Sequence, residues 1–275
     1  ENTKAMKGKG IQICDTVQWE SAGYLTMQHE LFKKLTLNGS IRAEYNSNYG
    51  VIPIPYFGFA YKFIKNTVFK ASYSKGFRSP TIRELYLWAP ANPDLKPEKM
   101  NSFEASLHRS FIDNKLRFEL TGFYLEADNI IQTQMTDGGP KNTNSGSFSN
   151  KGVEFLTNYN ISKSFNAHLN YTYTNTENPI LACPRNQLNV SLTYNLKKIA
   201  ATVSTQYVEK LYLTTVAPLS SQNYLLLNAR LSYKANKYLN IFVKGENLSN
   251  QKYYINNGYP MPGIMGFAGL NFNLK

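Results

Sequence analysis

From residue 22 onward, apolar and polar positions trade places at almost every step. Leu35, Leu37, Gly39, Ile41, Ala43 and Tyr45 alternate with Thr36, Asn38, Ser40, Arg42 and Glu44. Leu116, Phe118 and Leu120 alternate with Arg117, Glu119 and Thr121. The pattern returns where Leu225, Leu227, Ala229, Leu231 and Tyr233 face Leu226, Asn228, Arg230, Ser232 and Lys234. Leu239, Ile241, Val243 and Gly245 then alternate with Asn240, Phe242, Lys244 and Glu246, and the last segment sets Ala268, Leu270, Phe272 and Leu274 against Gly269, Asn271, Asn273 and Lys275. Successive side chains on a strand point to opposite faces, so each segment has one apolar and one polar face. Leu227 reads as outward-facing, and Asn228 as an inward position that tolerates a charge.

The pattern predicts strands near 22–33, 34–46, 54–63, 66–78, 99–110, 115–127, 149–161, 164–175, 187–196, 199–210, 223–233, 238–247 and 264–274. A fourteenth is open at 10–19, where Ile11, Ile13, Val17 and Trp19 alternate. Most of these segments exceed the five or six residues usual in a soluble sheet. They match the 9–11 residues that cross a bilayer at a tilt. Connections after Phe32, Phe63, Phe111, Ile161, Leu196 and Ala235 are tight, whereas 79–98, 128–148, 176–186, 211–222 and 248–263 are long. Alternating short and long connections imply an all-β fold, an antiparallel transmembrane β-barrel with short periplasmic turns and long external loops. Its polar face is then the lumen wall, lined by Arg42, Glu44, Lys70, Glu104, Arg117, Glu119, Arg230, Lys244 and Glu246. Residues 1–21 read as an external loop or partial strand, and 22–275 as barrel.

Composition agrees. Among 275 residues stand 20 Tyr and 16 Phe but only 2 Trp, a mixture that favours strands and membrane-interface girdles. No run approaches 18 apolar residues, so no membrane helix is expected. The first ten residues hold no signal-peptide apolar core. The net charge of +12 is spread along the chain without a dense basic cluster, which argues against nucleic acid as a partner. Cys14 and Cys183 lack metal-ligand spacing; they are either unpaired or one bridge. His29, His108 and His168 all fall on strands and read as ordinary polar-face residues, with no nucleophile–base arrangement around them. The expectation is no enzyme, no catalytic residue, no metal site and no cofactor.

One stretch departs from the alternation: "SKGFRSPTIRELY" at 74–86, followed by "NPDLKPEKMNSFE" at 92–104. "NTNSGSFSNKGVEF" at 142–155, "GENLSNQKYYINNGYPMPG" at 245–263 and the terminal "GFAGLNFNLK" follow in order. Together these five segments resemble TonB-dependent outer-membrane receptors over residues 22–275. The resemblance implies a 22-stranded barrel with an N-terminal plug. Thirteen strands would be the C-terminal portion of that barrel, with the plug absent; a closed barrel of fourteen is the alternative if 10–19 spans. Receptors of this kind commonly end on an aromatic residue, whereas this chain ends Leu274-Lys275.

The resemblance implies TonB-dependent uptake, through the lipid bilayer, of a scarce metal chelate: a siderophore–iron complex or a cobalamin-type corrinoid such as vitamin B12. The TonB energy-transducing complex would act through the missing plug, and whether a surface lipoprotein lids the barrel is open. A passive porin-like barrel is the first alternative and haem uptake the second, although no histidine lies within the 79–98 loop. Arg83, Tyr86, Leu87 and Trp88 in that loop are the ligand-binding candidates, a cation and apolar or stacking groups suited to an anionic chelate.

Overall fold

The computed structural model describes residues 2–4, 15–87 and 90–273. Cys14, Trp88, Leu274 and Lys275 lie outside them. Two short strands, β1 (Asn2–Lys4) and β2 (Asp15–Val17), pair only with each other, so no strand over 10–19 joins the main sheet among the described residues. The main sheet has thirteen strands: β3 (Glu20–Leu31), β4 (Leu35–Asn46), β5 (Gly50–Ile64), β6 (Thr67–Arg78), β7 (Glu98–Phe111), β8 (Leu116–Thr136), β9 (Gly139–Asn160), β10 (Phe165–Thr176), β11 (Pro184–Leu196), β12 (Ile199–Tyr212), β13 (Ser221–Lys234), β14 (Leu239–Glu246) and β17 (Met265–Phe272). Each pairs with its neighbour in sequence, except that the small hairpin β15 (Tyr254–Asn256) and β16 (Tyr259–Pro260) stands between β14 and β17.

All thirteen predicted strands are present, but one predicted loop is not a loop. β8 and β9 continue through 128–148, turning only at 137–138. The stretch "NIIQTQMT" keeps β-branched and long side chains, and Asp137-Gly138 supplies the tight turn that ends it. The connection at 47–49 is equally short, so long and short connections do not alternate strictly.

The chain divides into two compact units. The first comprises Glu1–Phe63, Phe69–Ala105 and Phe123–Asn150. Here Leu25 pairs with Ile41 and Leu37 with Phe59 on one face, while Tyr24 faces Arg42 and Ala22 faces Glu44 on the other. His29 pairs with Leu37. It therefore lies on the apolar face, contrary to the polar-face reading, because the period of two fixes its side whatever its chemistry.

The second unit comprises Ile64–Val68, Ser106–Gly122 and Lys151–Lys275. One face carries Leu192 opposite Val203, Leu231 opposite Val243 and Ile241 opposite Leu270. The other carries Ser191 opposite Ser204, Ser204 opposite Asn228 and Arg230 opposite Lys244. That polar face holds an apolar island of Val208, Leu211, Tyr224 and Leu226, all buried, with Tyr253 packed against it. The rings of Tyr224 and Tyr253 are 4.5 Å apart, which lays the 247–264 connection on the sheet. Asn247, only 3% exposed, knots that connection. Its Nδ2 donates to the carbonyls of Gln251 (2.9 Å) and Pro262 (3.1 Å), and its backbone N–H donates to Asn228 Oδ1 at 3.0 Å. The motif "GENLSNQKYYINNGYPMPG" thus specifies a loop conformation.

Candidate functional site

The 79–97 connection is built on a capping box. Thr81 Oγ1 accepts from the Glu84 N–H at 3.2 Å, and Glu84 Oε2 accepts from the Thr81 N–H at 2.8 Å. This reciprocal pair satisfies donors at the start of a single helical turn, Arg83–Leu87. The signature T-x-x-E is visible in "TIRE" and was the available sequence signal for Glu84.

Glu84 is also half of a clamp. Arg78 Nη1 and Nη2 donate to its carboxylate at 2.9 and 3.0 Å. Arg78 Nε and Nη2 donate to Glu98 at 2.6 and 2.8 Å. One planar guanidinium therefore holds two carboxylates in bidentate geometry, which Arg can do and Lys cannot. Burial opposes ionisation of Glu84, but the hydrogen bonds from Arg78 and Thr81 outweigh it and hold its carboxyl below the usual range. Glu98 Oε1 also accepts from the Ile131 N–H at 2.9 Å, which ties the clamp to β8.

Asparagines from β9 complete the frame. Asn92 Nδ2 donates to the Asn142 carbonyl at 2.7 Å, and Asn142 Nδ2 donates to the Glu84 carbonyl at 3.2 Å. Asn144 accepts from the Lys96 N–H at 2.7 Å and donates to the carbonyls of Lys96 (2.8 Å) and Asn129 (2.7 Å). Leu85 and Leu95 on this connection are each only 1% exposed, and Pro80 and Pro97 are buried too. Three of the motifs read separately from the sequence are parts of this one structure.

Of the predicted ligand residues, Arg83 is exposed and Tyr86 half-buried, and Leu87 ends the helical turn. Trp88 lies outside the described residues. Tyr49, on the 47–49 turn, was not foreseen. Its hydroxyl is buried without a hydrogen-bond partner. Burial, reinforced by Tyr86, Glu84 and Glu20, pushes its phenol up to about 12.

Several of the predicted lumen charges have close partners. Arg42 meets Glu44 at 2.8 Å, Lys244 meets Glu246, and Glu119 meets His108 at 3.0 Å. Arg230 instead lies 4.0 Å over the Phe242 ring. Phe242 in turn covers Gly269, where an added Cβ would come within 2.6 Å of the ring. Arg117 joins none of these groups; its carbonyl accepts from Thr157 at 3.0 Å. Cys183 carries a free, half-buried thiol. Among the described residues no group of three His, Cys, Asp or Glu side chains gathers to hold a metal ion.

Residues 13–248 match the family model described as TonB dependent receptor-like, beta-barrel. The vitamin B12 transporter BtuB of Vibrio cholerae is 24% identical over 232 residues, covering 82% of this chain and 38% of that protein. The BtuB of Photobacterium profundum is 29% identical over 127 residues, 46% of this chain and 20% of that one. In fold, the chain is similar to a ferric enterobactin receptor mutant from Pseudomonas aeruginosa, with a TM-score of 0.83 at 14% identity over 97% of this chain and 47% of that chain. The siderophore receptor PirA of the same organism gives 0.77 at 15% identity, over 94% and 47%. The chain thus spans less than half the length of these relatives.

Proposed function

Because this chain belongs to the TonB-dependent receptor-like β-barrel family, we propose that it contributes the wall and ligand-facing loops of an outer-membrane receptor for a scarce metal chelate. A siderophore–iron complex or a cobalamin-type corrinoid is the cargo class. The curated relatives are vitamin B12 transporters and the structural neighbours siderophore receptors, which supports that class. In this reading the 79–97 connection faces the exterior and the tight turns face the periplasm. Arg42, Glu44, Arg117, Glu119, Arg230, Lys244 and Glu246 line the lumen. Energy for release comes from a TonB complex acting on a plug outside these residues.

The observation that carries the reading is the clamped 79–97 connection. Its frame of Arg78, Glu84, Glu98, Asn142 and Asn144 is fixed by hydrogen bonds of 2.6–3.2 Å, and a loop prepaid in ordering binds with less entropy loss. Arg83 and Tyr86 sit on the framed turn, where they offer a cation and an aromatic surface. Tyr49, with its unsatisfied hydroxyl, offers a hydrogen-bonding group that a polar ligand atom would complete.

The test is Tyr86→Ala with Trp88→Ala in the full-length receptor. Truncating aromatic anchors costs about 2 kcal/mol or more, near thirtyfold in affinity. Uptake at limiting ligand should fall while the barrel resists heat and detergent as before. Unchanged uptake with lost heat resistance would make the connection a brace and remove it from recognition.

A further inference from the structure

We propose that Ser106, His108 and Glu119 form a nucleophilic centre that cleaves carboxylic esters by way of an acyl-serine. The two ring nitrogens of His108 have different partners. Its Nδ1 lies 3.0 Å from Glu119 Oε2, and its Nε2 lies 3.0 Å from Ser106 Oγ. An ionised carboxylate can only accept, so Nδ1 carries the proton and Nε2 is left as the acceptor for the Ser106 hydroxyl. The roles are then nucleophile, base and orienting carboxylate, an arrangement defined by geometry and not by position in the chain. Thr121 Oγ1 donates to the second oxygen of Glu119 at 3.3 Å, which holds the carboxylate from its other side.

The strands explain why these groups meet. Ser106 and His108 are two residues apart on β7, and Glu119 and Thr121 two apart on β8, so each pair shares a face. Phe111 and Phe118 stack at 5.3 Å, and their odd spacing from His108 and Glu119 puts the aromatic pair on the opposite face. The centre therefore stands on the polar face, close to the turn at 112–115. The sequence showed no nucleophile–base arrangement around His108 because Glu119 arrives from the next strand. The site is open to substrate: the side chains of His108 and Glu119 are 28% and 38% exposed, and Ser106 is half-buried.

The chemistry balances without an oxidant or a second substrate other than water. Ser106 Oγ bonds to the ester carbonyl carbon as His108 Nε2 takes its proton, and Glu119 steadies the imidazolium. The ester C–O bond then breaks, and the departing alkoxide takes that proton and leaves as an alcohol. Water attacks the acyl-serine in turn: His108 takes a water proton, the carboxylic acid leaves, and Ser106 Oγ recovers its proton. Arg117, exposed on the same face two residues before Glu119, is the cation available to the oxyanion of either step. An ester suits this centre better than an amide, because an alkoxide is the easier leaving group.

The experiment labels the full-length receptor with a fluorophosphonate probe, maps the label by peptide mass spectrometry, and follows hydrolysis of p-nitrophenyl acetate alongside. Wild type should carry the label on Ser106 and release nitrophenol, and Ser106→Ala should lose both. A general base contributes about 10²–10⁴-fold, so His108→Gln should slow labelling about a hundredfold or more. Glu119 is a positioning residue: Glu119→Gln should slow labelling about tenfold or more, and Glu119→Asp should restore part of the rate. Ser110→Ala, on the same face two residues past His108, should match wild type. Heat-modifiable migration on gels reports folding of every variant separately. A folded wild type without label on Ser106, a labelling rate unchanged in His108→Gln, or a loss in Ser110→Ala as large as in Ser106→Ala overturns the centre. Because the readout is covalent labelling and not transport, such a failure leaves the uptake reading as it stands.

Discussion

Arg78, the last residue of β6, and Glu98, the first of β7, are joined by two hydrogen bonds of 2.6 and 2.8 Å. The connection between them begins and ends at one ion pair. Arg78→Gln leaves Glu84 and Glu98 facing each other without a cation. Hydrogen bonds to charged groups contribute about 1.5–3 kcal/mol each, and the 46% exposure of the Arg78 side chain reduces this toward the low end. Amide exchange at Leu85 and Asn92, whose N–H groups bond to Thr81 and Leu85, should accelerate about tenfold or more, with strand amides unchanged. Unaltered exchange at both positions would show that the clamp does not hold the loop.

The same clamp sets a pH dependence. The Glu84 carboxyl is held below its ordinary value in the folded loop. Its contribution is therefore complete above the unfolded-state value of about 4.3 and is lost as pH falls through the lower folded value. Limited proteolysis of the 79–97 connection should stay constant from neutral pH down to about 4.5 and rise at lower pH. In Arg78→Gln the acid onset should shift upward, toward the unfolded value. A rise that begins near pH 6 in wild type would point to histidine and not to Glu84.

Leu85→Ala and Tyr86→Ala separate anchoring from recognition. Leu85 is 1% exposed and its truncation should cost about 2–5 kcal/mol of local packing, opening the loop to protease. Tyr86 is half-buried, and its truncation should reduce ligand affinity while protease resistance stays near wild type. Measuring both properties in both variants checks the division; identical profiles would erase it.

Tyr49→Phe removes a buried hydroxyl that has no partner. The loss of an unsatisfied polar group should leave stability unchanged or raise it by about 1 kcal/mol. If that hydroxyl meets the ligand, affinity should fall about fivefold or more in the same protein. Lower stability with unchanged affinity would mean the hydroxyl is satisfied in solution and takes no part in binding.

Face assignment is tested by Leu227→Arg against Ser204→Arg. Leu227 is exposed on the apolar face, so arginine there should cost roughly 2–4 kcal/mol at mid-membrane and reduce insertion. Ser204 lies on the opposite face, paired with Ser191 and Asn228, and should accept the charge. Asn228 is no longer the neutral control that alternation suggested, since it receives the Asn247 N–H. Equal insertion of both variants would reverse the assignment.

Strand number and face were legible because a period of two survives any tertiary context: Leu37 and Leu231 needed no partner to declare their side. Loop boundaries were less legible. At 128–148 the polar residues Asn142 and Asn144 looked like loop chemistry, yet they sit on β9 and serve as hydrogen-bonding teeth for another segment. The clamp itself was invisible, because Arg78 and Glu98 are brought together only when β6 and β7 are in place. His29 misled in the opposite direction: residue chemistry suggested one face and register imposed the other.

Asn142 and Asn144 hold the Glu84 and Lys96 backbones directly, while Glu98 holds the backbone of Ile131. Mechanically, then, the 79–97 segment and the upper β8–β9 hairpin are one lever. A force applied at Tyr86 is delivered to Ile131 and Asn144 through hydrogen bonds whose geometry allows little slack. Displacing the segment would carry the hairpin with it or break several of these bonds together.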